Sequence, residues 1–355
     1  MSPRTRIYAL LVALALVACA LPATAAAKKA PKGFFGVVPQ ETLTGADYQR
    51  LAEGRVRTIR LGFNWASFQQ VDGQCKPEPQ VGICSWTVMD GVVGTLASAG
   101  VRVIPTVAGS PSFVNQESTR PPLEGRDLTR WKAFVRSAAA RYGRGGVFWD
   151  AYDDYGGKPL PVHDWQIWNE PNSKQFWSPA PNPKKYAKLV KASAQALRSA
   201  DKKADVILGG MFADAKLPLG PYMKQFYRAG KIERHFDAIG LHPYAKDIGD
   251  LKRQIRTARK AAKGKTGIFI SEMGWSSANG GHPLNQGKQG QAKRLQKSFR
   301  LITKKRRAWD ITGVIWFALR DTDNKDTCRF CLKSGLLNVN GSPKPSWRAF
   351  KKFSK

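Results

Sequence analysis

The chain has 355 residues, 42% of them hydrophobic and 10% aromatic with 11 Trp, and its 58 Lys/Arg against 26 Asp/Glu give a formal charge of +32. That length and apolar content suit one large α/β domain or two ordinary ones, and the composition is globular. The charge alone would suggest nucleic acid, but the basic stretches carry no interleaved aromatics and the N-terminus reads as an export signal, so no nucleic-acid partner is expected.

Residues 1–27 read as a targeting segment. Arg4 and Arg6 form a basic start. The apolar run 7–18 is too short to span a bilayer. Ala23-Thr24-Ala25 and Ala25-Ala26-Ala27 are candidate cleavage sites. Leu16-Val17-Ala18-Cys19 resembles a lipobox, which would leave Cys19 lipidated instead. The mature chain, 28–355, is therefore expected to be secreted or tethered at the cell surface, monomeric, and without a transmembrane segment.

From there strand-like and helix-like runs alternate. The predicted strands are Phe34–Val38, Val56–Gly62, Val101–Val107, Asp164–Asn169, Asp205–Gly209, Ala238–His242, Gly267–Glu272 and Gly313–Ala318. Helical periodicity marks Asp90–Ala99, Leu128–Tyr142, Lys185–Ala200, Pro221–Ala229, Leu251–Ala262 and Gly287–Lys304. Eight apolar strands without clean alternation argue for a parallel sheet closed on itself, a single (β/α)8 TIM barrel. Two long connections stand out, Gln69–Ser85 and Arg144–His163. Four cysteines follow the leader. Local pairing, Cys75 with Cys84 and Cys328 with Cys331, suits an exported chain, with a four-thiolate zinc site or a redox Cys-x-x-Cys as rivals. Lys252–Lys265 and Lys288–Arg307 carry only basic charge. They read as solvated outer helix faces, or as a means of retention on an anionic cell wall.

Two of these strands end on glutamates, in Trp168-Asn169-Glu170-Pro171 and in Ser271-Glu272-Met273-Gly274-Trp275. A carboxylate just past a buried apolar strand is costly unless it has donors or a task. Pro171 cannot continue a ladder, so Glu170 lies at a rim. Beside Trp168 it is suited to carry a proton, and Glu272 is suited to meet positive charge at a sugar carbon; together they are the pair that acid-assisted glycoside cleavage needs. Asn169 is placed to bond a sugar hydroxyl. Arg60, alone inside the second strand, calls for a carboxylate partner, naturally a catalytic glutamate. Tyr244 is placed to orient Glu272, and His242 to contact substrate. Trp316 is expected as a stacking floor, with Trp65, Trp177 and Trp275 as weaker candidates for outer subsites.

These motifs resemble the clan A glycoside hydrolases: Asn169-Glu170-Pro171 looks like their acid/base motif and Ser271-Glu272-Met273-Gly274-Trp275 like their nucleophile strand. Gly146-Val147-Phe148-Trp149, Trp165-Gln166-Ile167-Trp168 and the closing Lys344-Pro345-Ser346-Trp347-Arg348-Ala349-Phe350 resemble family 39 and the neighbouring family 5 cellulase-like proteins. The third strand lacks the histidine that family 5 enzymes often place there, which favours the family 39 side. The resemblance implies a retaining glycosidase of β-linked poly- or oligosaccharides, with Glu170 as acid/base and Glu272 as nucleophile. It also implies no cofactor and no catalytic metal. A transglycosylase, or a silent wall-binding barrel, is the alternative.

Overall fold

The computed structural model describes residues 29–78, 83–153, 158–264 and 266–354. Eight parallel strands close into a barrel in chain order: β1 (Phe35–Val38), β2 (Thr58–Asn64), β3 (Arg102–Ala108), β4 (Asp164–Ile167), β5 (Asp205–Leu208), β6 (Ala238–Leu241), β7 (Gly267–Met273) and β8 (Ile311–Phe317). β1 pairs with β8, with Phe35 opposite Val314, so the sheet has no edge.

The helices are α1 (Gly45–Glu53), α2 (Trp65–Phe68), α3 (Thr87–Ser98), α4 (Gly125–Tyr142), α5 (Val147–Asp153), α6 (Pro183–Ala200), α7 (Leu219–Tyr227), α8 (Ile248–Ala261), α9 (Gly287–Lys305) and α10 (Pro345–Phe350). Their starts follow from local chemistry. Thr44 and Asp47 form a reciprocal capping box on α1. Asn182 caps α6 with Pro183 at its first position, and the Asp247 side chain accepts from Asp250 at the start of α8. The expected (β/α)8 barrel is thus the fold, with each predicted element present to within a few residues.

Three differences have physical causes. β4 stops at Ile167 and not at Asn169, because the backbone enters the left-handed region at Trp168 (φ 68°) and again at Glu170 (φ 43°). The Arg144–His163 connection holds α5, which packs Phe148 and Tyr152 beside Gly94 of α3. α1 and α10 were not predicted, their apolar faces being only one or two turns long. The expected leader, with its lipobox at Cys19, lies outside the described residues. Among the described residues no helix is long and apolar enough to cross a membrane.

Strand residues split between two packings. Val37, Ile59, Val107, Ile167, Ile270 and Trp316 belong to the main core between sheet and helices. Val38, Ile104, Ile207, Ala238, Phe269 and Ile315 form a separate apolar layer inside the barrel. Above that layer, towards the C-terminal mouth, the interior turns polar with Arg60, Thr106, Gln166, Ser271 and Glu272, all buried.

Both local disulfides are formed: Cys75–Cys84 with Cα atoms 5.4 Å apart and Cys328–Cys331 at 5.1 Å. Cys75 and Cys84 are buried beside Trp86 and Phe68. Chain-entropy arguments put the worth of so short a loop at about 2–3 kcal/mol. Cys75→Ser with Cys84→Ser is expected to lose about that much stability in guanidinium unfolding. A loss near zero would mean that aromatic packing alone holds this connection.

Candidate active site

The two glutamates meet at the barrel mouth because β4 and β7 deliver them from the same end. Glu170 and Glu272 are 4% and 8% exposed, and an oxygen of each lies within 4.8 Å of the other and of a His242 ring nitrogen. Each carboxyl is held differently.

Glu272 is surrounded by donors. Arg60 Nη1 donates to its Oε1 at 2.6 Å and the Tyr244 hydroxyl to its Oε2 at 2.6 Å. Arg60 is itself locked: Nε donates to Gln166 Oε1 at 2.6 Å and Nη2 to Asn169 Oδ1 at 2.8 Å. Gln166 accepts from Thr106 and donates to Ser271 Oγ and the Leu208 carbonyl. Strands two, three, four and seven are thereby tied into one polar layer. Burial pushes the Glu272 carboxyl up, but its interactions with His242, Arg60 and Tyr244 outweigh this and hold the group below its ordinary value, ionised. Tyr244 stays a donor, since burial and the Glu272 charge push its own pKa well up.

Glu170 has one partner, His242 Nδ1 at 2.7 Å. Its Oε2 is buried with no hydrogen-bond partner in the protein. Burial raises its pKa, the His242 contact offsets this in part, and the Glu272 charge adds to the rise. The environment thus splits the pair, holding one carboxyl below the ordinary range and the other above it.

Local backbone makes this possible. The left-handed turns at Trp168 and Glu170 are uncommon for such residues and need support. The Trp168 amide bonds the Val107 carbonyl at 2.8 Å and its indole N–H the Phe176 carbonyl at 2.6 Å. Asn172 bonds the Phe212 backbone on both sides, and the Tyr186 hydroxyl bridges Ile167 O to the Gly209 N–H. Gly210 is required because a Cβ there would stand 1.9 Å from His242 Nε2.

Glu170, Glu272, Arg60, Asn169, His242 and Tyr244 are brought together as expected. The four tryptophans are not at the site. Trp316 is fully buried, its ring 6.1 Å from Phe299 and 6.2 Å from Trp275 on the helix side of β8. Side chains alternate across a strand, so its neighbour Phe317 faces the mouth instead. Trp275 is buried against Trp316, Trp65 between Trp131 and Phe134, and Trp177 between Trp168 and Tyr186. All four are core.

A cleft of about 440 Å³ opens beside Glu272 and Asn169. Its walls include Gly62, Asn64, Thr106, Thr119, Phe176 and Phe317, residues the sequence reading did not single out. Only Thr106 could have been found, from its place two residues before the end of an apolar strand.

Glu170, His242 and Glu272 could also be drawn as a metal triad, as could His163, Asp164 and Asp205 at the opposite end of the barrel. The first set does not suit a cation. Arg60 already supplies the positive charge at Glu272, and His242 Nε2 is walled in by Gly210.

Residues 166–350, more than half of the chain, match the family model described as glycosyl hydrolase catalytic core, and the chain belongs to that family. Solved structures of similar fold include a family 39 glycoside hydrolase from Bacteroides cellulosilyticus WH2 (TM-score 0.67, 18% identity, covering 91% of this chain and 63% of that one). A monomeric β-xylosidase from Caulobacter crescentus superposes with TM-score 0.60 at 18% identity, over 91% of this chain and 69% of that one. An intracellular xylanase from Thermoanaerobacterium saccharolyticum gives 0.58 at 14%, over 90% and 95%. The chain thus spans less than two thirds of the family 39 protein's length. At these identities the structures speak for a shared fold, the one expected from the clan A motifs.

Removing one donor from Glu272 should raise its pKa, because the carboxylate loses stabilisation that the acid form does not need. A hydrogen bond to a charged group is worth about 1.5–3 kcal/mol, so Tyr244→Phe is expected to raise the Glu272 pKa by about 1–2, read by carbon NMR of labelled glutamate. In Gly210→Ala the displaced His242 should leave Glu170, whose pKa then rises further in the same titration.

Proposed function

We propose that the protein is a retaining glycoside hydrolase acting on a β-linked poly- or oligosaccharide. The observation that carries this is the carboxyl pair. One oxygen of each carboxyl lies within 4.8 Å of the other, a close pairing of the kind retaining enzymes use, with carboxyls about 5–5.5 Å apart.

In the first step Glu170 protonates the glycosidic oxygen as that bond breaks, and Glu272 attacks the anomeric carbon to form a glycosyl ester. In the second, Glu170, now a carboxylate, takes a proton from water, which attacks the same carbon and frees Glu272. The Oε2 of Glu170 has no partner in the protein and is the oxygen left to carry the proton. Arg60 and Tyr244 keep Glu272 ionised until it attacks, and His242 supports Glu170 in both protonation states. Asn169, tied to Arg60, is positioned for the sugar 2-hydroxyl. Phe317 takes the stacking role foreseen for Trp316.

The cleft also narrows the substrate class. Among the described residues its only lining cation is Arg60, whose guanidinium is engaged by three side chains. Apart from Glu272, the remaining described walls are Asn, Ser, Thr and apolar groups. This supports a neutral sugar at the reacting position, despite the charge of the whole chain.

That charge is better explained as retention. On α8, Lys252, Arg256 and Lys260 form an exposed stripe, and on the neighbouring α9 Lys293, Lys297, Arg300 and Lys304 form another, with no acid in α9. Two adjacent stripes suit an anionic wall polymer, in keeping with an exported chain.

Three outcomes are expected. Glu272→Ala loses all hydrolysis while wild type releases product of unchanged anomeric configuration, seen by proton NMR. Glu170→Gln falls by about 10²–10⁴ on natural glycosides and much less on aryl glycosides with good leaving groups; equal loss on both would reject the acid/base role. Binding to polygalacturonate weakens with salt and with charge reversal at Lys293, Lys297, Arg300 and Lys304, while neutral-glycan hydrolysis stays as in wild type.

A further inference from the structure

Tyr244 is set against Glu272 by its surroundings as much as by its own hydrogen bond. Its ring is boxed by Phe317 at 6.0 Å, Phe212 at 6.1 Å, His242 at 6.2 Å and Phe330 at 5.1 Å. The first three come from strand ends or the turns that follow them. Phe330 comes from the long loop after β8 and lies inside the four-residue Cys328–Cys331 clasp.

That loop is built to hold one ring in place. The Cys331 N–H bonds the Cys328 carbonyl, the Gln40 amide bonds the Cys331 carbonyl, and the Ser334 hydroxyl bonds the Phe330 carbonyl. On its outer side Phe330 is covered by the His282 ring, stacked at 5.4 Å and 13°. His282 thus stacks on Phe330, and Phe330 meets the Tyr244 ring edge-to-face at 64°, beside the carboxylate of Glu272 that Tyr244 bonds.

We propose that Phe330 is a positioning residue, pressed onto Tyr244 by the Cys328–Cys331 clasp, and that the clasp thereby holds the Tyr244 hydroxyl on Glu272. A phenol reaching a carboxylate from a strand end has its ring torsion and its hydroxyl torsion to fix. Contact with four surrounding rings restricts the first, so the hydrogen bond costs less order to form. The disulfide removes the loop's freedom in turn. This explains why a disulfide that closes a loop of only four residues sits beside the site. It rests on the reading of Glu272 as nucleophile, although the contact itself is independent of that reading.

The test is the Glu272 pKa, followed by carbon NMR of labelled glutamate, with hydrolysis measured beside it. The groups facing Tyr244 are Glu272, Glu170, Arg60 and His242, and His282 faces Phe330; Glu170 is assigned in the same spectra from Glu170→Gln. Phe330→Ala and the Cys328→Ser/Cys331→Ser pair are each expected to raise the Glu272 pKa by up to about 1, towards the value in Tyr244→Phe. The acid limb of kcat/KM should move to higher pH by the same amount, while KM changes little. Phe330→Tyr, which keeps the ring, should restore the wild-type value. A Glu272 pKa unchanged in Phe330→Ala, or Phe330→Ala and Phe330→Tyr behaving alike, overturns the proposal. If no glycan is hydrolysed by wild type while the pKa moves as stated, the function proposed above fails and the positioning role stands.

Discussion

A guanidinium and a carboxylate, each less than a tenth exposed, meet at the centre of the barrel mouth, and much of the site is arranged to make that tolerable. Burying two charges costs several kcal/mol per ion even after relaxation, and the attraction between them repays it only when the remaining donors and acceptors are met. Arg60 meets three acceptors on three different residues. Glu272 meets two donors. Gln166 then matters as much as the charges, because it joins Arg60 to Thr106, Ser271 and the backbone of β5. Removing one partner would strand the others, which makes the layer all-or-none and rigid.

The same layer sets the asymmetry between the glutamates. One is given fixed positive charge, and the other mainly a low-dielectric wall and a single imidazole. Two identical side chains therefore come to differ in how firmly they hold a proton, through position alone. The strain at Trp168 and Glu170 belongs to this account. Regular strand geometry would carry Glu170 on along β4; the left-handed turns bring it beside His242, and the bonds from Val107, Phe176 and Phe212 hold the turns.

How legible this was depends on whether a residue's role is local. Glu170, Glu272 and Arg60 stood out because charge inside an apolar run is anomalous wherever the run folds. Eight such runs in alternation with helices sufficed for the barrel. Which face a side chain takes was not legible. Strands buried on both faces show no alternation, so Trp316 and Phe317 are interchangeable on paper and opposite in space. Large rings were assigned to sugar when most were needed to fill the gap between sheet and helices, as Trp65, Trp275 and Trp316 do. The end of β4 was misplaced for a related reason: nothing in Trp168-Asn169-Glu170 announces a positive φ, and only contacts from distant residues sustain it. Phe330 carries no signal in sequence at all, since its meaning lies in a tyrosine 86 positions earlier.

Charge is the other case where composition and geometry part. A net of +32 invites an acidic ligand, yet the one cation among the described residues that line the cleft, Arg60, is spent on the protein itself. Another cation near Glu272 would stabilise its carboxylate further, and one near Glu170 would oppose the rise in its pKa. The exposed stripes on α8 and α9 face water on the barrel's flank. Their fields are screened within about 8–10 Å at ordinary ionic strength, which keeps them from disturbing that balance. A barrel of this kind can carry a strongly basic exterior only because its mouth is electrostatically private, and the Arg60 network is what makes it so.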